Sequence, residues 1–152
     1  MLRVSRLTDY ATVVMTCLAS QPGEVLSAVQ IAEEARLELP TVSKLLKTLG
    51  HAGLVESFRG ANGGYRLARE AERINLAEIV EAMEGPLSMT ECSVSVGHCD
   101  HESYCTVRGN WQRINTVVAQ ALRAMTLAEM LEPAPQPVHF APRPAESRKS
   151  PT

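Results

Sequence analysis

Two strand-like runs, Leu54-Val-Glu-Ser-Phe58 and Tyr65-Arg-Leu67, are joined by Arg59-Gly-Ala-Asn-Gly-Gly64. This hairpin limits the possible folds most, because three helical patterns precede it without a long gap. Asn62, Gly63 and Gly64 tolerate the positive φ that a hairpin tip needs. The first helical pattern covers Leu7 to Ser20. Thr8 is its expected cap, and Tyr10, Val13, Val14, Cys17 and Leu18 recur at helical spacing before Pro22-Gly23 breaks it. Ser27-Ala-Val-Gln30 is a capping-box pattern that opens a second helix, with Val29, Ile31, Ala32 and Ala35 as its apolar residues. After a turn near Leu37, Pro40 suits the first position of a third helix. Val42, Leu45, Leu46 and Leu49 then fall at i, i+3, i+4 and i+7 and predict its core face, with Gly53 as the stop.

Three helices followed by a glycine-tipped hairpin make a winged helix-turn-helix. The third helix turns Thr41, Ser43, Lys44, Lys47 and Thr48 outward. Hydroxyls bond phosphates or base edges, and lysines neutralise phosphate. Arg59 and Arg66 flank the turn, and a narrow minor groove attracts arginine. The candidate DNA-binding residues are therefore Arg3, Ser5, Thr41, Ser43, Lys44, Lys47, Arg59, Asn62, Gly63, Gly64 and Arg66. The plainer alternative is a solvated helix face and an ordinary hairpin.

Charge restricts this reading. Residues 1–73 carry nine Lys/Arg against eight Asp/Glu, a net of +1, and residues 74–152 carry six against nine, a net of −3. DNA binding would have to rest on local patches and on dimerisation. No run approaches the roughly 18 apolar residues of a membrane span, and the N-terminus lacks a signal-peptide pattern, so a cytoplasmic protein is expected. Thiols stay reduced there, and clustered cysteines then point to a metal or redox site rather than to disulfides. No catalytic constellation is visible, and an enzyme is not expected.

Asn75-Leu-Ala-Glu78 caps a short helix to Glu84, with Leu76, Ile79, Val80 and Met83 inward, and Gly85-Pro86 ends it. From there to Cys105 no periodicity is convincing. Three of the four cysteines, Cys92, Cys99 and Cys105, lie in this stretch, separated by six and five residues. That is not the C-x-x-C spacing of zinc ribbons. Thiolates are the usual ligands of iron–sulfur clusters, and three would leave a fourth position to another part of the fold. Structural zinc with His98 or His101, and plain buried thiols, stay open as readings of the spacing. Cys17 belongs to a packed helix face.

Trp111, Ile114, Val117, Val118, Ala121, Leu122 and Met125 form one stripe on a helix predicted over 107–125. A long amphipathic helix behind a small DNA-binding head most simply makes a two-fold dimer on a palindromic operator. Thr126-Leu-Ala-Glu129 is a third capping box, expected to start a short helix to Leu131. Prolines at 133, 135, 137, 142, 144 and 151 mark an expected disordered tail. The chain is thus expected to be mainly α: a winged helix-turn-helix head with a two-stranded wing (1–73), a connecting helix and cysteine loop (74–105), a dimerisation helix and short last helix (106–131), and a tail (132–152).

The opening Leu2-Arg-Val-Ser-Arg-Leu-Thr-Asp-Tyr10, the stretch Gly53-Leu-Val-Glu-Ser-Phe-Arg-Gly-Ala-Asn-Gly-Gly-Tyr-Arg-Leu67 and the three spaced cysteines together resemble the iron–sulfur-dependent winged-helix regulators, the Rrf-two family, over about residues 1–131. The resemblance implies a homodimeric transcriptional regulator, a repressor in expectation, with a 2Fe–2S or 4Fe–4S cluster on Cys92, Cys99 and Cys105. The isc-type regulators use a histidine three residues after the last cysteine; here that position is Arg108. The nitrite-sensitive members use an N-terminal aspartate of the partner chain, which Asp9 matches, so Asp9 is the implied fourth ligand, with His98, Asp100, His101 and Glu102 as further candidates. Ser43 stands where the isc type has an acidic residue, so the operator sequence does not carry over. The resemblance is nearest to the regulators of SUF-type cluster-assembly genes, which implies sensing of cluster status. A nitric oxide- or iron-responsive repressor of the same family, and a zinc-stabilised DNA-binding protein without sensing, are the alternatives.

Overall fold

The computed structural model describes residues 3–90, 93, 100 and 102–133. Among them are five α-helices and one two-stranded antiparallel sheet: α1 (Arg6–Ser20), α2 (Ala28–Ala35), α3 (Leu39–His51), β1 (Val55–Phe58), β2 (Gly64–Leu67), α4 (Leu76–Glu84) and α5 (Arg108–Ala124). The prolines beyond Pro133, expected to mark a tail, lie outside the described residues.

The helices form where capping and spacing agree. The Ser27 and Asn75 boxes both close, each side chain accepting from the third helical N–H while Gln30 or Glu78 reaches back to the cap N–H. The α3 positions Val42, Leu45, Leu46 and Leu49 are buried as the spacing predicts. They meet Val14, Met15 and Leu18 of α1, Ile31 of α2 and Ile79 of α4 in one aliphatic core. Burying side chains of this size contributes about 1.5–3 kcal/mol each. Cys17 packs as expected, and burial, aided by the Glu34 charge, raises its thiol above the ordinary range.

Several local expectations are corrected. Ser5, not Thr8, caps α1: its Oγ accepts from the Thr8 amide at 3.2 Å. The Thr8 hydroxyl is engaged elsewhere, as the next subsection describes. Helix α3 starts at Leu39, which puts Pro40 second, and Val29 is half exposed rather than packed. In the hairpin the left-handed residue is Gly60, at φ +109°, and not Asn62, Gly63 or Gly64. The two later glycines are required by close approach. A Cβ on Gly63 would strike the Phe58 carbonyl, and one on Gly64 the Leu26 carbonyl. Gly64 lets the backbone of Leu26 pair with Tyr65, at 2.7 and 2.9 Å, which ties the hairpin to the loop before α2. After α5 the Thr126 box closes as expected, and the short last helix is a 3-10 helix over Glu129–Leu131.

That last box stands directly beside the Asn75 box. Leu76 N–H donates to Met125 at 2.9 Å and Leu127 N–H to Ile74 at 2.8 Å, with Ile74 and Leu127 both fully buried. The segment from α4 through α5 therefore leaves and rejoins the body at one point.

Candidate nucleic-acid interface and cysteine segment

Burying one face of α3 leaves Ser43, Lys44 and Lys47 exposed on the other, with Thr41 and Thr48 half-exposed. Thr48 turns its hydroxyl back to the Lys44 carbonyl at 3.2 Å. The turn into α3 passes through Arg36, whose φ of +53° makes it the one non-glycine in the left-handed region among the described residues.

The hairpin pairs Val55 with Leu67, Glu56 with Arg66, Ser57 with Tyr65 and Phe58 with Gly64. This register places Arg66 beside Glu56, with Nη2 to Oε2 at 3.3 Å, and its guanidinium 4.7 Å above the Phe58 ring. Arg66 is thus held within the wing, and Arg59 is its exposed cation at the tip, beside exposed Asn62. Among the described residues of α3 and the hairpin, Lys44, Lys47 and Arg59 are the cations without an ion-pair partner. Arg3 is exposed, while the Ser5 hydroxyl is occupied by the α1 cap and by Thr8 Oγ1 at 2.9 Å.

Sequence reasoning missed Glu84, the last residue of α4. Its Oε1 accepts from Thr8 Oγ1 at 2.6 Å and from the Ser5 amide at 2.8 Å. Those bonds, the Thr8 hydroxyl first, lower its carboxyl below the ordinary glutamate range. Nothing local marks the pair, since 76 residues separate the partners. Thr8 is 1% exposed.

Beyond Gly85 the chain runs beside α5. The Asn115 side chain accepts from Met89 N–H at 3.1 Å and donates to the Leu87 carbonyl at 3.3 Å. Cys92, Cys99, His98 and His101 lie outside the described residues, as does the side chain of Glu102; Asp100 is exposed. Cys105 is a half-buried free thiol three residues ahead of α5. Among the described residues no group of three potential ligands converges.

Asp9 is exposed on the first turn of α1 and has no ion-pair or hydrogen-bond partner for its carboxylate among the described residues. It lines a cleft of about 720 Å³ with Arg6, Thr12, Val80 and Leu122. Leu122 is near the end of α5, whereas Cys105 precedes its start. Fourteen residues of helix from Arg108 to Leu122 span about 21 Å. A thiol and a carboxylate thus stand toward opposite ends of one helix. The face of α5 between them is apolar and open: Trp111 is 40% exposed, Ile114 44% and Val117 59%.

The same architecture recurs in known proteins. An HTH-type transcriptional regulator of Neisseria meningitidis is 37% identical over 134 residues, 86% of this chain and 88% of that protein. The structure of CymR, the global cysteine regulator of B. subtilis, matches with a TM-score of 0.69 at 32% identity, covering 86% of this chain and 97% of that one. That of T. potens IscR matches with a TM-score of 0.66 at 33% identity, covering 86% of each. The model of the Rrf2 family, described as iron-dependent transcriptional regulators, matches residues 4–133. The chain belongs to the Rrf2 family of transcriptional regulators.

Proposed function

We propose that the chain is a homodimeric, DNA-binding repressor whose operator affinity follows the state of an iron–sulfur cluster, and that its targets are SUF-type cluster-assembly genes. Cys92, Cys99 and Cys105 would hold the cluster, with Asp9 of the partner subunit as the fourth ligand. The observation that carries this reading is the placement of Cys105 and the Asp9 cleft toward opposite ends of α5. Within one chain these donors stand toward opposite ends of α5, whereas two α5 helices paired antiparallel by their open faces would set each Cys105 beside the other chain's Asp9. The donor set fits such a group: thiolates suit iron–sulfur clusters, and a hard carboxylate is the more easily displaced ligand. When bound, the cluster supplies a redox-labile centre shared by both chains.

The chain's own residues would do the rest. Lys44, Lys47 and Arg59 would neutralise operator phosphates, and Thr41, Ser43 and Asn62 would bond to phosphate or base edges, with Arg3 reaching the flanking backbone. Gly63, Gly64 and the Glu56-held Arg66 would keep the wing in shape. Because the segment after α4 is tied to α1 through Glu84 and to α5 through Asn115, cluster binding by the cysteines would bias the geometry of both heads and hence their affinity for DNA.

Iron, acid-labile sulfide and zinc per chain, with the visible spectrum, measured on protein purified without oxygen, test the proposal. Iron and sulfide in near-equal amounts, lost in Cys105→Ala and weakened in Asp9→Ala, are expected. Stoichiometric zinc without sulfide would overturn the sensing reading and leave a zinc-stabilised DNA-binding protein.

A further inference from the structure

We propose that Leu39 and Pro40, on the first turn of α3, form an apolar patch that reads the C5-methyl group of thymine in the operator. The inference rests on the DNA-binding reading above and adds base-reading residues that the polar side chains of α3 do not supply.

Folding does not account for these two side chains. Leu37, two residues earlier, packs against the aliphatic core. Leu39 is not part of that core and is 42% exposed, and Pro40 beside it is exposed as well. Val42, Leu45, Leu46 and Leu49 carry the core face of α3. At about 100° per residue Pro40 stands opposite that face and Leu39 at its edge. Ser43 and Lys44 follow Pro40 by one turn and Lys47 by two, all three exposed. The outward face of α3 therefore begins with two apolar residues and continues with a hydroxyl and two ammonium groups.

This first turn is poorly equipped for the other use of a helix start, which is to hold a phosphate. Glu38 at the N-cap makes no side-chain cap bond and brings a negative charge, and Pro40 has no N–H to donate. An apolar surface at this place gains from an apolar partner instead. Among the four bases only thymine presents a methyl group in the major groove, so such a contact separates T·A from the other pairs. The N-terminal residues of a recognition helix are the ones that reach base edges. Lys44 and Lys47, which have no ion-pair partner among the described residues, seat the helix on the backbone without choosing a base.

The test uses the full chain, purified without oxygen, and an operator that it selects from random duplex DNA. Each thymine of a half-site is replaced in turn by deoxyuridine, which removes the methyl group and leaves base pairing intact. Loss of the contacted methyl should weaken binding about three- to fivefold for one half-site and about tenfold or more for both. Leu39→Ala with Pro40→Ala should bind the thymine operator about as weakly as the parent binds the uracil one, and should no longer distinguish the two. Lys44→Gln should weaken binding to both and keep their ratio. The uracil scan is made on the unaltered chain, so it decides even where a variant folds poorly. Indifference to uracil at every position would overturn the proposal, as would a thymine-to-uracil ratio unchanged in the double variant. A chain that enriches no sequence from random DNA would remove the operator-binding reading itself, and this proposal with it.

Discussion

The Thr8 hydroxyl donates to the Glu84 carboxylate at 2.6 Å and so joins the first turn of α1 to the last residue of α4. Because the same oxygen also accepts from the Ser5 amide, one carboxylate holds the start of one helix against the end of another. The start of α1 and the end of α4 thus share one charged group in addition to their apolar packing.

That joint is pH-sensitive. The carboxyl of Glu84 lies below the ordinary glutamate range, so its stabilisation is fully present above the ordinary carboxylate value and is lost as pH falls through the lower folded value. Glu84 is exposed, so the contribution is discounted to about 1 kcal/mol. Glu84→Gln should melt below the parent at pH 7 and converge with it as falling pH protonates the parent's carboxylate. A constant difference across that range would mean the charge is not what holds the joint.

The glycines of the hairpin should differ in sensitivity. Gly64→Ala forces a Cβ into the Leu26 backbone and should cost about 2 kcal/mol or more, since a ladder bond must open. Gly60→Ala meets open space but keeps an unfavourable φ, and should cost about 1 kcal/mol. Urea unfolding of the two variants would reverse this order if the close approach were unimportant.

Arg36 predicts a gain. It is held at φ +53° at the C-cap of α2, where glycine is free of the Cβ penalty. Arg36→Gly should raise stability by about 0.5–1 kcal/mol, read as a higher urea midpoint with an unchanged slope. A loss would show that the arginine side chain contributes more than its backbone costs.

The two ends of the α5 region should respond differently. Leu127→Ala empties a fully buried site and should cost about 2–5 kcal/mol at any protein concentration. Ile114→Glu with Val117→Glu alters an open face and should leave the head folded; on the proposed pairing through α5 it should shift sedimentation from dimer to monomer. If the double variant sedimented as the parent does, α5 would not be the pairing surface.

Much of this architecture is legible in the sequence because it is locally encoded. The boxes at Ser27, Asn75 and Thr126, and the i, i+3, i+4, i+7 spacing of α3, need only neighbouring residues and form as expected. What stayed hidden depends on distant partners. Thr8 has the chemistry of a cap, yet its hydroxyl is claimed by Glu84, and Ser5 takes the role. Gly63 and Gly64 looked like turn residues, but their constraint comes from the carbonyls of Phe58 and Leu26. The engagement of Arg66 with Glu56 and Phe58 follows from the strand register, which the sequence alone does not show. The separation of Asp9 from Cys105 along α5 could be inferred only once Leu122 was seen in the Asp9 cleft.

The paired backbones at Ile74–Leu127 and Leu76–Met125 have a topological consequence. They make residues 76–125 an insertion closed at its neck, with both strands of the neck anchored in the core. For a loop closed in this way, added length costs little, about 0.6 kcal/mol per doubling. The stretch between α4 and α5 can therefore lengthen, shorten or change its cysteine spacing without any change in the helices that the neck secures. The scaffold separates the part of the chain that must stay constant from the part whose length and composition are free to change.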